Sequence, residues 1–149
     1  PLLAIVNEYK VSLLPLEIFN QDTELNLTNL FKELKQKHYA PTVPEGKKPI
    51  STWSFIEPSS EEYLSSDLRL ELVFEHIIKR VRWHLKGDYF STLADNIQTS
   101  SQVLIHSLSK TMSQKPFSKT KGILETMEFH PTRPLFYICN DKHVFCYNL

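Results

Sequence analysis

Between Ser109 and Gly122 the chain carries Lys110, Lys115, Lys119 and Lys121 and no carboxylate, with serine and threonine hydroxyls interspersed and one aromatic residue, Phe117. Lysine ammonium groups meet phosphates as point charges, hydroxyls add neutral donors, and an aromatic face stacks on an unpaired base. These residue types could therefore contact RNA through its backbone, without reading its sequence. An acidic partner would suit the four lysines equally. The same residues also fit the outer strand and loop of a folded domain, with lysines keeping the edge soluble and Phe117 sealing it.

Other reactive groups point away from catalysis. His84 and His130 stand in equivalent surroundings, Trp83-His84-Leu85-Lys86-Gly87-Asp88 and Phe129-His130-Pro131-Thr132-Arg133-Pro134, each just after an apolar stretch. A repeated histidine reads as a turn residue bonded to nearby backbone rather than an acid, a base or a metal ligand. His38, His76, His106 and His143 show no metal-ligand spacing. Glu61, Glu62 and Asp67 sit in an acidic loop and read as solvated charge. Gly46, Gly87 and Gly122 are too far apart to cradle a phosphate. Two cysteines, Cys139 and Cys146, make neither a disulfide framework nor a zinc site, so reduced buried thiols are expected. No catalytic residue, metal, cofactor or small-molecule substrate follows from these residues, and the chain reads as a non-enzyme.

The elements that would position the lysines are strands, because the chain repeats itself. Residues 1 to 16 lie without a gap on residues 134 to 149 and match at six of 16 positions. Each copy reads as an apolar strand, a short turn of Asn and an acid, and a second apolar strand, hence a β-hairpin. A third copy appears at a shift of 46, which lays Ile77 on Ile123, Trp83 on Phe129, His84 on His130 and Phe90 on Phe136. The shift then falls to 41, laying Val103 on Val144 and Leu108 on Leu149. A period of this length with three apolar strands per copy suits a β-propeller blade.

The expected fold is all-β: a partial WD-repeat propeller of about two to three blades with a long insertion containing a short amphipathic helix. Residues 1 to 16 give strands of a first blade, 76 to 122 a second, and 123 to 149 a third, incomplete one. The stretch 17 to 75 is the insertion. Within it Leu27, Leu30, Phe31 and Leu34 form an apolar stripe, so a helix is expected near 23 to 38 and could bind a partner groove. Three prolines and a glycine between Ala40 and Pro49 mark a loop, and a return strand is expected near 68 to 74. Too few blades to close a ring, and a first residue that is Pro1, suggest a piece of a longer chain.

Lysine plus arginine equals aspartate plus glutamate at 17 each, so no overall field steers the chain toward nucleic acid or acidic lipid. No apolar run approaches the roughly 18 residues of a membrane span, and no membrane partner is expected.

Three stretches carry a resemblance: Arg80 to Leu93; Ser101 to Lys110 running into Ser113 to Gly122; and Phe129 to Pro134 with Tyr147 to Leu149. They are similar to the block-of-proliferation family of eukaryotic ribosome biogenesis proteins. The resemblance implies a seven-bladed WD-repeat propeller behind a long amino-terminal region. It also implies a scaffold, present in nucleolus and nucleoplasm, that matures the large (60S) ribosomal subunit. Its implied partners are a pescadillo-type protein and a second WD-repeat protein in a three-part complex, with pre-60S particles and precursor rRNA. Departures from the pattern include His106-Ser107 and Tyr147-Asn148 where repeats of this kind end in Trp-Asp. A WD-repeat adaptor of another pathway, recognising its partner through the insertion helix, and an enzyme on a propeller scaffold are the rival readings.

Overall fold

The computed structural model describes residues 2–15, 50–56, 69–95, 102–118 and 122–149. Every regular element among them is a strand, and all strand pairing is antiparallel. The sheets are those of a partial β-propeller. The helix expected near 23 to 38 lies outside the described residues. The chain divides into two compact units, Pro1–Glu75 and His76–Leu149.

The first unit is a four-stranded sheet of β1 (Leu2–Asn7), β2 (Lys10–Pro15), β3 (Thr52–Ile56) and β4 (Arg69–Val73), in the order β1-β2-β4-β3. β1 and β2 form a hairpin closed by Asn7 opposite Lys10, with Glu8 and Tyr9 as its loop. Glu8 has φ of 39°, the sign that tight hairpin turns require at their first loop position. β4 enters between β2 and β3, so the sheet is not a simple meander. Val11 and Leu13 face Leu72 and Leu70 across strands, and all four are fully buried. The other face of the same pair places Ser12 opposite Glu71, as period-two alternation demands.

The second unit holds two sheets. β5 (Ile78–Trp83), β6 (Tyr89–Ala94), β7 (Val103–Ser107) and β8 (Met112–Gln114) form a four-stranded meander in chain order. β9 (Thr126–Phe129), β10 (Leu135–Cys139) and β11 (Val144–Asn148) form a three-stranded meander. A fourth strand in the first of these exceeds the three expected per copy. Two sheet faces meet in one core, where Leu93, Val103 and Ile105 pack with Leu124, Met127, Phe136 and Ile138. Burial of each such side chain contributes about 1.5–3 kcal/mol, which is what holds the two meanders together.

Strand registers reproduce the repeat residue by residue. Leu2 pairs with Pro15 and Leu135 with Asn148; Ala4 pairs with Leu13 and Tyr137 with Cys146. Phe90 pairs with His106 and Phe136 with Tyr147; Trp83 pairs with Phe90 and Phe129 with Phe136. The two terminal hairpins thus share one geometry, and the shifts of 46 and 41 correspond to equivalent strands.

Candidate functional site

The β7–β8 turn carries Lys110, and a clamp from the neighbouring turn fixes it. Asp88 closes the β5–β6 turn, where its carbonyl accepts from Leu108 N at 2.9 Å. Its carboxylate accepts from Ser109 N at 2.9 Å and Ser109 Oγ at 3.1 Å. Thr111 then takes φ of 44°, a left-handed conformation that β-branched side chains rarely adopt. Thr111 N donates to Leu108 O at 3.1 Å and Thr111 Oγ1 to Lys110 O at 2.9 Å.

The structure does not gather the described lysines. Lys110 is exposed before β8 and Lys115 is exposed after it, with the three residues of β8 between. Lys110 belongs to the turn that leads into β8 and Lys115 follows the other end of that strand, so the two flank β8 on opposite sides. Phe117 is half-buried, edge-on to Phe145 and Tyr147 at centroid distances of 6.1 and 5.7 Å. Lys119, Lys121 and the stripe Leu27, Leu30, Phe31 and Leu34 lie outside the described residues.

Both repeated histidines are turn residues. His84 Nδ1 accepts from Lys86 N at 3.3 Å, while His130 Nδ1 accepts from Thr132 N at 3.1 Å and Arg133 N at 3.0 Å. Their own amides donate across the hairpin, His84 N to Tyr89 O and His130 N to Leu135 O. Using Nδ1 as a backbone acceptor fixes the ring and explains why the same residue recurs.

Sequence reasoning missed the role of His106. Its ring is fully buried, stacked on Phe90 at 4.6 Å, with Nε2 2.8 Å from Thr92 Oγ1 and Nδ1 2.7 Å from Ser113 Oγ. One ring nitrogen donates and the other accepts, and the two hydroxyls rotate to suit. Desolvation by burial lowers its pKa from 6.5 to about 3, so the ring is neutral. His106 therefore links β6, β7 and β8 through one polar bridge. Its place opposite the Phe90 ring was the available signal, since a polar residue there needs partners on both sides.

A second missed group stands where the two sheets meet. Arg80 donates to Thr126 Oγ1 at 2.6 Å and Arg82 Nε to Glu128 Oε1 at 2.5 Å. Each pair is separated by 46 residues, the repeat shift itself, so equivalent strands β5 and β9 stand side by side and parallel. In the first unit, Lys10 pairs with buried Glu71 at 3.1 Å, and Ser12 Oγ donates to the same carboxylate at 3.4 Å.

The cysteines depart from expectation. Cys139 is opposite Val144 and Cys146 opposite Tyr137, so both thiols share a face, two residues out of step, and neither is bonded. Cys146 is exposed and Cys139 half-buried, not buried, because this face of β10 and β11 is only partly covered. Among the described residues no three His, Cys, Asp or Glu side chains converge on a metal-sized space.

No protein-family model matches the chain. It is 45% identical to ribosome biogenesis protein bop1-B of Xenopus laevis over 112 residues, 74% of this chain and 15% of that protein. It is 37% identical to ribosome biogenesis protein ERB1 of Chaetomium thermophilum over 107 residues, 72% of this chain and 13% of that protein. ERB1 of Saccharomyces cerevisiae is 37% identical over 103 residues, 69% of this chain and 12% of that protein. The chain thus spans about 15% or less of the length of these relatives.

Proposed function

The chain belongs to the block-of-proliferation family of WD-repeat ribosome biogenesis proteins, and from that premise we propose that it is part of a non-catalytic scaffold in large (60S) subunit assembly and precursor rRNA processing. The observation that carries this reading is the 45% identity over 112 residues to a protein named for ribosome biogenesis. We assign residues 1 to 16 to strands of a first blade, 76 to 122 to a second and 123 to 149 to a third, incomplete one, and 17 to 75 to an insertion that returns β3 and β4 to the first sheet. The proposed partners are a pescadillo-type protein, a second WD-repeat protein, and pre-60S particles with their RNA, met in nucleolus and nucleoplasm.

Within this reading Lys110, Lys115, Lys119 and Lys121 meet anionic groups, either RNA phosphates or the carboxylates of an acidic partner. Separate placement of Lys110 and Lys115 favours contacts spread along an extended partner over a single pocket.

Purification of the tagged protein from its own cells tests the scaffold. Co-purification of 60S precursors and a pescadillo-type protein is the expected outcome, and recovery of neither rejects the proposal. Replacing the four lysines with alanine should weaken precursor association more at low salt than at high salt, because each lost phosphate contact removes released counterions.

A further inference from the structure

Among the described residues the two ends of the second unit differ in how their charges are paired. Since β5 and β9 run side by side in the same direction, the β5–β6, β7–β8 and β9–β10 turns emerge at one end. There Lys86, Lys110 and Arg133 are exposed, and no ion pair holds any of their side chains among the described residues. The nearby carboxylates are occupied, Asp88 by Ser109 and Glu128 by Arg82. At the opposite end cations and carboxylates pair instead, Lys79 with Asp95 and Lys142 with Asp141. Leu85 projects among the free cations at 79% exposure, held there by a tight turn whose Gly87 has φ of 78°.

The geometry points to this turn end as a docking surface for an acidic segment of a partner protein, with carboxylates meeting Lys86, Lys110 and Arg133 and an apolar side chain covering Leu85. Charge complementarity selects an anionic partner. Leu85 selects a protein over a nucleic acid, because a phosphate backbone offers nothing to a fully projecting aliphatic side chain, whereas a peptide places an apolar residue beside its carboxylates. The inference rests on the scaffold reading for there being a partner at all. Its test uses the purified chain, so it can fail while association with 60S precursors, measured from cells, persists.

A fluorescent peptide in which one leucine is flanked by glutamates serves as the probe, titrated by anisotropy at low salt against the full chain. A uridine oligonucleotide of equal charge is the comparison. Binding of the peptide should weaken about tenfold or more in the triple variant Lys86→Glu, Lys110→Glu, Arg133→Glu and about threefold in Leu85→Ser. Lys142→Glu at the other end serves as the control and should change it less than about twofold. Circular dichroism checks that these exposed turn substitutions leave the fold intact. No peptide binding overturns the inference. So does peptide binding indifferent to Leu85, or an oligonucleotide that binds more tightly than the peptide and loses its affinity in the same triple variant.

Discussion

Arg82 Nε donates to Glu128 Oε1 at 2.5 Å, and the two residues hold the same place in successive repeats, 46 positions apart. A contact between a residue and its own repeat equivalent arises when copies are related by rotation about a nearby axis, with equivalent strands facing that axis. Arg80 and Thr126 repeat the relationship two residues earlier. This pairing of like with like is how the second unit expresses propeller geometry.

Both partners of the Arg82–Glu128 pair are about half exposed, at 42% and 56%, so solvent screens the attraction. Glu128→Gln should cost less than about 1 kcal/mol in urea unfolding, and the cost should shrink in high salt. The exchanged variant Arg82→Glu, Glu128→Arg should recover most of it. A loss that is the same at all salt concentrations would mean that packing, not charge, joins the strands.

His106 makes stability depend on pH with a definite sign. Its folded pKa, about 3, lies below its unfolded value near 6.5, so the unfolded chain binds this proton more readily. Its contribution is complete above about pH 6.5 and declines as the pH falls toward 3. His106→Gln, which keeps a hydrogen-bonding amide but cannot titrate, should be less stable at pH 7 yet show a shallower decline on acidification. Parallel unfolding curves for the two proteins from pH 7 to pH 4 would show that the ring is not buried neutral.

How much of this was legible in the sequence follows from the range of the interactions involved. The hairpins were, because matching apolar positions with an Asn at the turn fixes register locally, as Leu2 opposite Pro15 and Leu135 opposite Asn148 show. The order of the first sheet was not, since nothing local makes β4 insert between β2 and β3. The separation of Lys110 from Lys115 was not legible either, since the two are close in sequence and only the pairing of the three-residue strand β8 puts them on either side of it. Arg82 and Glu128 could have been found by asking which residues at the repeat shift carry opposite charge.

Thr111 holds a left-handed backbone with φ of 44° while almost fully buried. An L-residue in that region costs roughly 1–2 kcal/mol, and glycine avoids the cost. Thr111→Gly should therefore raise the urea midpoint or leave it unchanged, despite losing the bond to Lys110 O. Thr111→Val, which keeps the branch and loses the hydroxyl, should lower it. A glycine variant clearly less stable than the valine variant would argue that the turn does not need its left-handed residue.

Phe117 separates packing from recognition. Its ring is edge-on to Phe145 and Tyr147, and pairs of this kind add about 0.5–1.5 kcal/mol beyond the area they bury. Phe117→Ala should then destabilise the second unit by about 2 kcal/mol, and Phe117→Leu by less, because leucine restores most of the apolar contact but no ring edge. A residue that stacks on an RNA base behaves differently. Alanine and leucine would then weaken RNA binding alike and leave unfolding nearly unchanged, since the stacking face would be free in the unbound protein. Unfolding midpoints and oligonucleotide affinities of the two variants therefore answer opposite questions, and the ring contacts place the larger loss in stability.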